Sequence, residues 1–200
     1  MPLGYEQCLV SLAHKYSQDS TLHIIADILI SRIDMFLDNF RSCNLSLSDI
    51  HRIQRGINMF EFKQKHNLSN QINEALQRIQ RKCQAYMNEN RISTTHIENT
   101  SSSSGKKEKL VVNYIEEFLG NRNDIRISTN TYKDGFELDI LLICNEKHNH
   151  KMINIEVDGP SHDISNTKYF MKLRDELLRN KYDISIIRIP LRIYGTYLTT

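Results

Sequence analysis

The sequence predicts an α/β domain in the C-terminal half of the chain, preceded by an all-α helical region. In residues 1–92 the apolar residues recur three and four positions apart, which is the period of amphipathic helices. After residue 105 a helical run is followed by three short extended runs, a second helical run and a last extended run, which gives the order α-β-β-β-α-β. Between the two patterns, residues 93–105 have almost nothing to bury and are predicted to be a flexible linker. The predicted domains are therefore a helical region at 1–92 and an α/β domain at 106–196.

The helical region is predicted to contain about four amphipathic helices and no strand. Its clearest segment is 20–40, with Asp19 or Ser20 as N-cap, and Ser48 is predicted to open the next helix. The residues of 20–40 expected to face the core are Ile25, Ile28, Leu29, Ile33, Phe36, Leu37 and Phe40. A basic set in the last helical segment either lines a groove for phosphate or forms the solvated face of an amphipathic helix. Its members are Arg78, Arg81, Lys82 and Arg91.

The α/β domain begins with a helix at 106–119 that Gly120 ends as a C-cap. A three-stranded meander follows, and a crossover helix then adds a fourth strand, which predicts a mixed sheet. The segments predicted after the first helix are strands at 125–131, 136–144 and 152–158, a helix at 166–180, and a strand at 182–189.

Composition excludes several classes of protein. With 40% hydrophobic residues the chain can bury a core, so it is not compositionally disordered. The net charge is +2, which is no nucleic-acid signature by itself, so a nucleic-acid surface requires charges that are segregated in space. The four cysteines form no closely spaced pair, which predicts free thiols and argues against structural zinc.

No stretch of the sequence is typical of a signal peptide or of a membrane span. The most apolar stretch, 22–37, is interrupted by Asp27, Arg32 and Asp34. We therefore expect a soluble intracellular protein with no membrane partner, in the cytoplasm or in a mitochondrion.

Acidic residues lie at alternating positions on the second and third predicted strands. Side chains two apart share a face of a strand, so Glu137 and Asp139 lie on one face, as do Glu156 and Asp158. The two strands should pair antiparallel, so that Asp139 and Glu156 converge. Two carboxylates at such a short distance repel each other unless a positive charge lies between them. A divalent cation such as Mg²⁺ or Mn²⁺ would supply that charge. Asp139 and Glu156 are therefore the predicted metal ligands of a phosphodiesterase site, whereas Glu137 is expected to face solvent.

His162 follows the third strand in a tight turn that begins at Gly159. It acts either as a general acid or base, or only as a hydrogen-bonding residue of the turn.

These residues resemble the RAP domain, a family of RNA-binding domains abundant in apicomplexans. The match lies in Glu156–His162 (EVDGPSH), in the FELDI run of 136–140, and in the closing helix and strand at 172–190; it covers about residues 106–194. The family's usual Trp near the end is absent, and Tyr194 stands close to that position.

The resemblance implies a fold related to PD-(D/E)XK and very-short-patch-repair-like endonucleases, hence a restriction-endonuclease-like domain. It places Asp139 and Glu156 at the metal-binding acids and Glu108 at the expected first-helix glutamate. Asp158 stands where the nuclease motif has lysine, and Lys168 or Lys172 is the candidate substitute.

Three functions remain open from the sequence. The first is an RNA-processing, metal-dependent nuclease with Asp139, Glu156, Asp158, His162, Glu108 and Lys172 as catalytic candidates. The second is a non-catalytic module that binds RNA through Lys168, Lys172, Arg174 and Arg179. The third is an adaptor whose helical half docks a partner protein. RNA is the expected partner, and DNA is the alternative, since the endonuclease relatives cut DNA.

Overall fold

The computed structural model of the chain describes residues 2–15, 21–38, 45–94, 103–120, 122–146, 149–158 and 165–190. These residues belong to two compact units. The helical unit comprises Met1–Glu98 together with Asp134–Phe136, and the α/β unit comprises Asn99–Lys133 and Glu137–Thr200.

The helical unit contains four helices and, between residues 2 and 94, no strand in the part that the structure describes. The helices are α1 (Pro2–Lys15), α2 (Thr21–Asp38), α3 (Leu47–Gln64) and α4 (Asn70–Thr94). α3 packs against α1 and α4, and α2 packs against α4. The predicted number of helices is confirmed for these residues, whereas the N-cap predicted at Asp19 or Ser20 lies outside them.

The buried face of α2 differs from the predicted one. Ala26, Ile30, Ile33 and Leu37 are the buried residues of this helix, while Ile28 is 54% exposed. The helix has more apolar residues than one face can bury, so their spacing did not decide which of them would turn inward.

Two residues of the basic set on α4, Arg78 and Lys82, form ion pairs with Asp34 of α2. Lys82 Nζ lies 2.6 Å from Asp34 Oδ1 and Arg78 Nε lies 3.1 Å from Asp34 Oδ2, so both bases are paired with α2.

The prediction that Ser48 opens α3 is wrong, because the N-cap is Ser46. Ser46 Oγ accepts a hydrogen bond from the Asp49 backbone N–H (3.2 Å), and Asp49 Oδ2 accepts one from the Ser46 backbone N–H (3.1 Å). This reciprocal pair is a capping box, which satisfies two backbone donors at the start of the helix.

The α/β unit has the predicted order α-β-β-β-α-β. Its elements are α5 (Ser103–Leu119), β1 (Ile125–Lys133), β2 (Phe136–Glu146), β3 (Asn149–Asp158), α6 (Ser165–Tyr182) and β4 (Ile184–Pro190). Gly120 has a φ of 57° and donates its N–H to Glu116 O, so it is the predicted C-cap of α5. Because α4 extends to Thr94 and α5 begins at Ser103, both ends of the predicted linker are helical, and its middle lies outside the described residues.

The four strands form one mixed sheet in the order β1-β2-β3-β4. β2 and β3 are antiparallel, and α6 returns the chain so that β4 is parallel to β3. β1 and β2 are joined by Asp134 and Gly135, which both have positive φ (49° and 87°) as a type I′ hairpin turn requires.

The two faces of the sheet are covered by different helices. On one face, Ile140 of β2 and Ile155 of β3 pack against Val111 of α5 and form the apolar core. On the other face, Glu156 of β3 contacts Arg174 of α6. The second face carries Asp139 and Glu156, so the alternation predicted for the two strands is confirmed at these residues.

Cys8, Cys83 and Cys144 are free thiols, as predicted, and Cys43 lies outside the described residues. Within the part of the chain that the structure describes, no helix is long and apolar enough to cross a membrane.

Candidate functional site on strands β2 and β3

The predicted carboxylate pair is brought together by the pairing of β2 with β3. Ile140 lies opposite Ile155, so the next position along the ladder sets Asp139 opposite Glu156 on the face that α6 covers. Asp139 Oδ2 accepts a hydrogen bond from the Val157 backbone N–H at 2.9 Å, which fixes the carboxyl group against β3.

Glu156 is buried and is held by a bidentate arginine. The residue is 8% exposed. Arg174 Nη1 donates to Glu156 Oε2 (2.8 Å), and Arg174 Nη2 donates to Glu156 Oε1 (2.6 Å). Asn154 Nδ2 also donates to Oε1. Burial alone would raise the pKa of Glu156, but the hydrogen bonds and the charge of Arg174 outweigh it and hold this pKa below its ordinary value. Glu156 is therefore an ionised carboxylate within an internal ion pair.

Asp139 has the opposite electrostatic environment. Burial and the negative charges of Glu156 and Glu108 raise its pKa to about 6, although the Val157 N–H and the charge of Arg174 offset part of the effect. Glu108 is itself buried, at 6% exposure in α5. Three of the predicted acids are thus close enough to interact, and Asp139 takes up a proton below about pH 6.

Arg174 does not lie on a surface that could contact RNA, which corrects the prediction for this residue. It is 7% exposed, and its Nη2 also donates to the backbone carbonyl of Glu137 at 2.7 Å. Arg174 therefore ties α6 to both β2 and β3. Glu137, as expected, is exposed at its side chain.

The remaining basic candidates on α6 face solvent. Lys168, Lys172 and Arg179 are exposed, as a nucleic-acid surface requires. Lys172 lies two residues before Arg174, which is about 200° around the helix, and so points away from the sheet. The prediction that Lys172 takes the place of the nuclease lysine next to Asp139 is therefore not met by the geometry.

Two candidates cannot be placed. Asp158 is the last residue of β3, and its side chain is not among those described. His162 lies outside the described residues.

The described side chains do not fit a divalent cation. Among them, no group of three or more His, Cys, Asp or Glu residues is arranged to hold a metal ion. Both oxygens of Glu156 already accept hydrogen bonds from Arg174, and Asp139 Oδ2 accepts from Val157, whereas Mg²⁺ and Mn²⁺ require several oxygen ligands. The positive charge that the sequence reasoning assigned to a metal is supplied here by Arg174.

Arg174 and Asn154 are the functional residues that the sequence reasoning missed as partners of Glu156. The sequence contains a signal for this partnership. Arg174 lies among Leu173, Leu177 and Leu178 on the apolar side of α6, and a charged residue at such a position needs an internal partner. No family model, no curated protein and no solved structure matches this chain.

Proposed function

We propose that this protein binds RNA and takes part in RNA processing, and that the α/β unit is the binding module. The observation that carries the proposal is a stripe of exposed basic residues on α6. Lys168, Lys172 and Arg179 follow one another at spacings of four and seven, so they lie within about 40° on one side of the helix. We call these three residues the basic stripe.

Two acids of α6, Asp175 and Glu176, flank the basic stripe, because each lies three or four positions from Lys172 and from Arg179. Arg174 is turned toward Glu156, and the carboxylate of Asp175 is bound by Arg188 at 2.8 Å. The stripe therefore presents positive charge although the whole chain has a net charge of only +2. A stripe of this kind suits the phosphate backbone of a nucleic acid, which binds through exposed lysine and arginine.

The order of elements and the resemblance support RNA as the partner. A helix, an antiparallel meander, a crossover helix and a parallel fourth strand are the arrangement expected for a restriction-endonuclease-like domain. The EVDGPSH run at 156–162 resembles the RAP domain, for which RNA is the family ligand. On this proposal the nuclease-type fold is kept for binding, because the described donor set does not fit a metal.

The test is the affinity of the full chain for labelled single-stranded RNA, measured by fluorescence anisotropy. The variant Lys168→Ala/Lys172→Ala/Arg179→Ala is expected to bind about ten to a hundred times more weakly. Its plot of log affinity against log salt should be shallower by about 2, since each lost phosphate contact on a single strand contributes about 0.7.

The matched control removes the same number of lysines and arginines from exposed positions elsewhere in the unit. Lys109→Ala/Arg126→Ala/Lys151→Ala leaves the stripe intact and carries the same change in charge. Equal losses in both variants would mean that net charge alone drives binding, which would refute the basic stripe as the site. Duplex DNA, included as a competitor, distinguishes RNA from DNA as the partner.

A second candidate function is a metal-dependent endoribonuclease with Asp139 and Glu156 as metal ligands for Mg²⁺ or Mn²⁺. It is favoured by the position of Asp139, whose buried carboxyl lies beside two further acids, Glu156 and Glu108. Incubation of RNA with the wild type and with Asp139→Asn decides it. Metal-dependent cleavage that is lost in the variant would establish this function, and intact RNA with the wild type would leave the binding module.

A further inference from the structure

We infer that Arg174 is the built-in counter-ion of the Asp139–Glu156 carboxylate pair and occupies the place of a divalent cation, so that the wild-type site does not bind metal. This inference goes beyond RNA binding and does not depend on it, because it concerns the interior of the unit rather than the basic stripe.

The geometry of the ion pair carries the inference. The two terminal nitrogens of Arg174 each donate to a different oxygen of Glu156, at 2.8 Å and 2.6 Å. The planar fork of a guanidinium matches a carboxylate in this bidentate arrangement. The Glu137 carbonyl accepts a further hydrogen bond from Nη2, so the guanidinium is held at both strands and not at Glu156 alone.

Metal binding competes with this ion pair. A cation that bound both acids would need an oxygen of Glu156, and each of these oxygens already accepts a hydrogen bond from Arg174. It would also lie beside a buried positive guanidinium, and like charges in a buried environment repel strongly. Arg174 is 7% exposed, so solvent does not screen that repulsion.

If Arg174 keeps the cation out, a single substitution of this residue should create a metal site. Arg174→Gln removes the positive charge and leaves Asp139 and Glu156 facing each other without a counter-ion. Mn²⁺ binding to the full chain is measured as the decrease in the electron paramagnetic resonance signal of free Mn²⁺ when protein is added. We expect binding by Arg174→Gln that is about tenfold or more tighter than that of the wild type, and that is lost again in Asp139→Asn/Arg174→Gln.

Arg179→Gln is the matched control, because it makes the same change on the same helix at an exposed position. If Arg174→Gln binds Mn²⁺ no better than Arg179→Gln, Arg174 is not what keeps the cation out, and the inference is wrong.

A measurement on the wild type covers the case in which Arg174→Gln does not fold. Thermal unfolding is followed with EDTA and with millimolar Mg²⁺ or Mn²⁺, because a ligand of the native state raises the midpoint. The inference requires the same midpoint under all three conditions. A metal-dependent rise that disappears in Asp139→Asn would show an open metal site in the wild type and would overturn the inference.

Discussion

At the scale of residues, two carboxyl groups on neighbouring strands differ in charge state because only one of them is hydrogen-bonded to an arginine. Arg174 holds the pKa of Glu156 below its ordinary value. Asp139, opposite it, accepts only a backbone hydrogen bond among the contacts described and has a pKa of about 6. The pair therefore carries one stable negative charge and one that pH controls.

The raised pKa of Asp139 predicts a loss of stability as pH rises. The native state holds this proton more tightly than the unfolded chain, in which the pKa is close to 3.8. Between about pH 4 and pH 6 the native state therefore binds more protons, and the free energy of unfolding decreases with increasing pH. Because Asp139 is only half-buried and solvent weakens its interactions, the decrease attributable to it is on the order of 1–2 kcal/mol.

Urea denaturation in EDTA, followed by circular dichroism across this pH range, measures the effect. Asp139→Asn keeps an acceptor for the Val157 N–H and cannot ionise, so it should equal the wild type at the acid end and exceed it in stability at neutral pH. Glu137→Gln, an exposed carboxyl on the same strand and face, should follow the wild type throughout. Parallel curves for the wild type and Asp139→Asn would contradict the assigned pKa.

At the scale of elements, the start of α3 shows how local chemistry fixes a helix boundary. Four residues, Ser46–Asp49, contain a serine followed three positions later by an acid, and the structure closes them into the capping box. Ser48, which is predicted to open the helix, is its second residue. The correct signal is the spacing of Ser46 from Asp49.

Ser46→Ala is expected to cost about 1 kcal/mol of unfolding free energy, since it removes the side-chain acceptor for the Asp49 N–H. Ser48→Ala, an exposed position one residue inside the helix, should change it by less than about 0.5 kcal/mol. Urea denaturation of both variants gives the comparison. An equal loss in the two would assign no special role to Ser46.

The spacing of apolar residues predicted where the helices and strands lie better than it predicted which side of each helix is buried. In β2 and β3, strict alternation places every second residue in the core, so the pairing of Asp139 with Glu156 followed from the sequence. In α2, apolar residues such as Ile25 and Ile28 surround much of the helix, and its packing against α1 and α4 determines the buried side. In α6, the period places Arg174 on the apolar side, but only the sheet beneath supplies its partner.

At the scale of the whole molecule, the small net charge does not show that the basic residues fall into two groups, one paired with acids and one exposed. Some are turned inward or paired, as Arg174 and Lys82 are, while Lys168, Lys172 and Arg179 remain exposed on one side of α6. A charge count cannot separate these groups, because the partner of each base comes from another element. The order of the elements was therefore predictable from the sequence, and the pairing of Arg174 with Glu156 was not.

The crossover through α6 also determines the order in which the sheet is expected to assemble. Ile143 of β2 meets Met152 of β3 across a short connection, whereas Met152 meets Ile184 of β4 only after the whole of α6 has been traversed. Closing the longer loop costs more chain entropy, so the β2–β3 hairpin should form before β4 is added. In pulse-labelled hydrogen exchange during refolding, amides of β2 and β3 are expected to gain protection before those of β4.

Simultaneous protection of all the strands would contradict this order. If the β2–β3 hairpin does form first, Asp139 and Glu156 lie opposite each other before Arg174 of α6 is in place. The hairpin then carries two acids without their arginine. Its population during refolding should therefore depend on pH, also under conditions in which the native state stays fully populated.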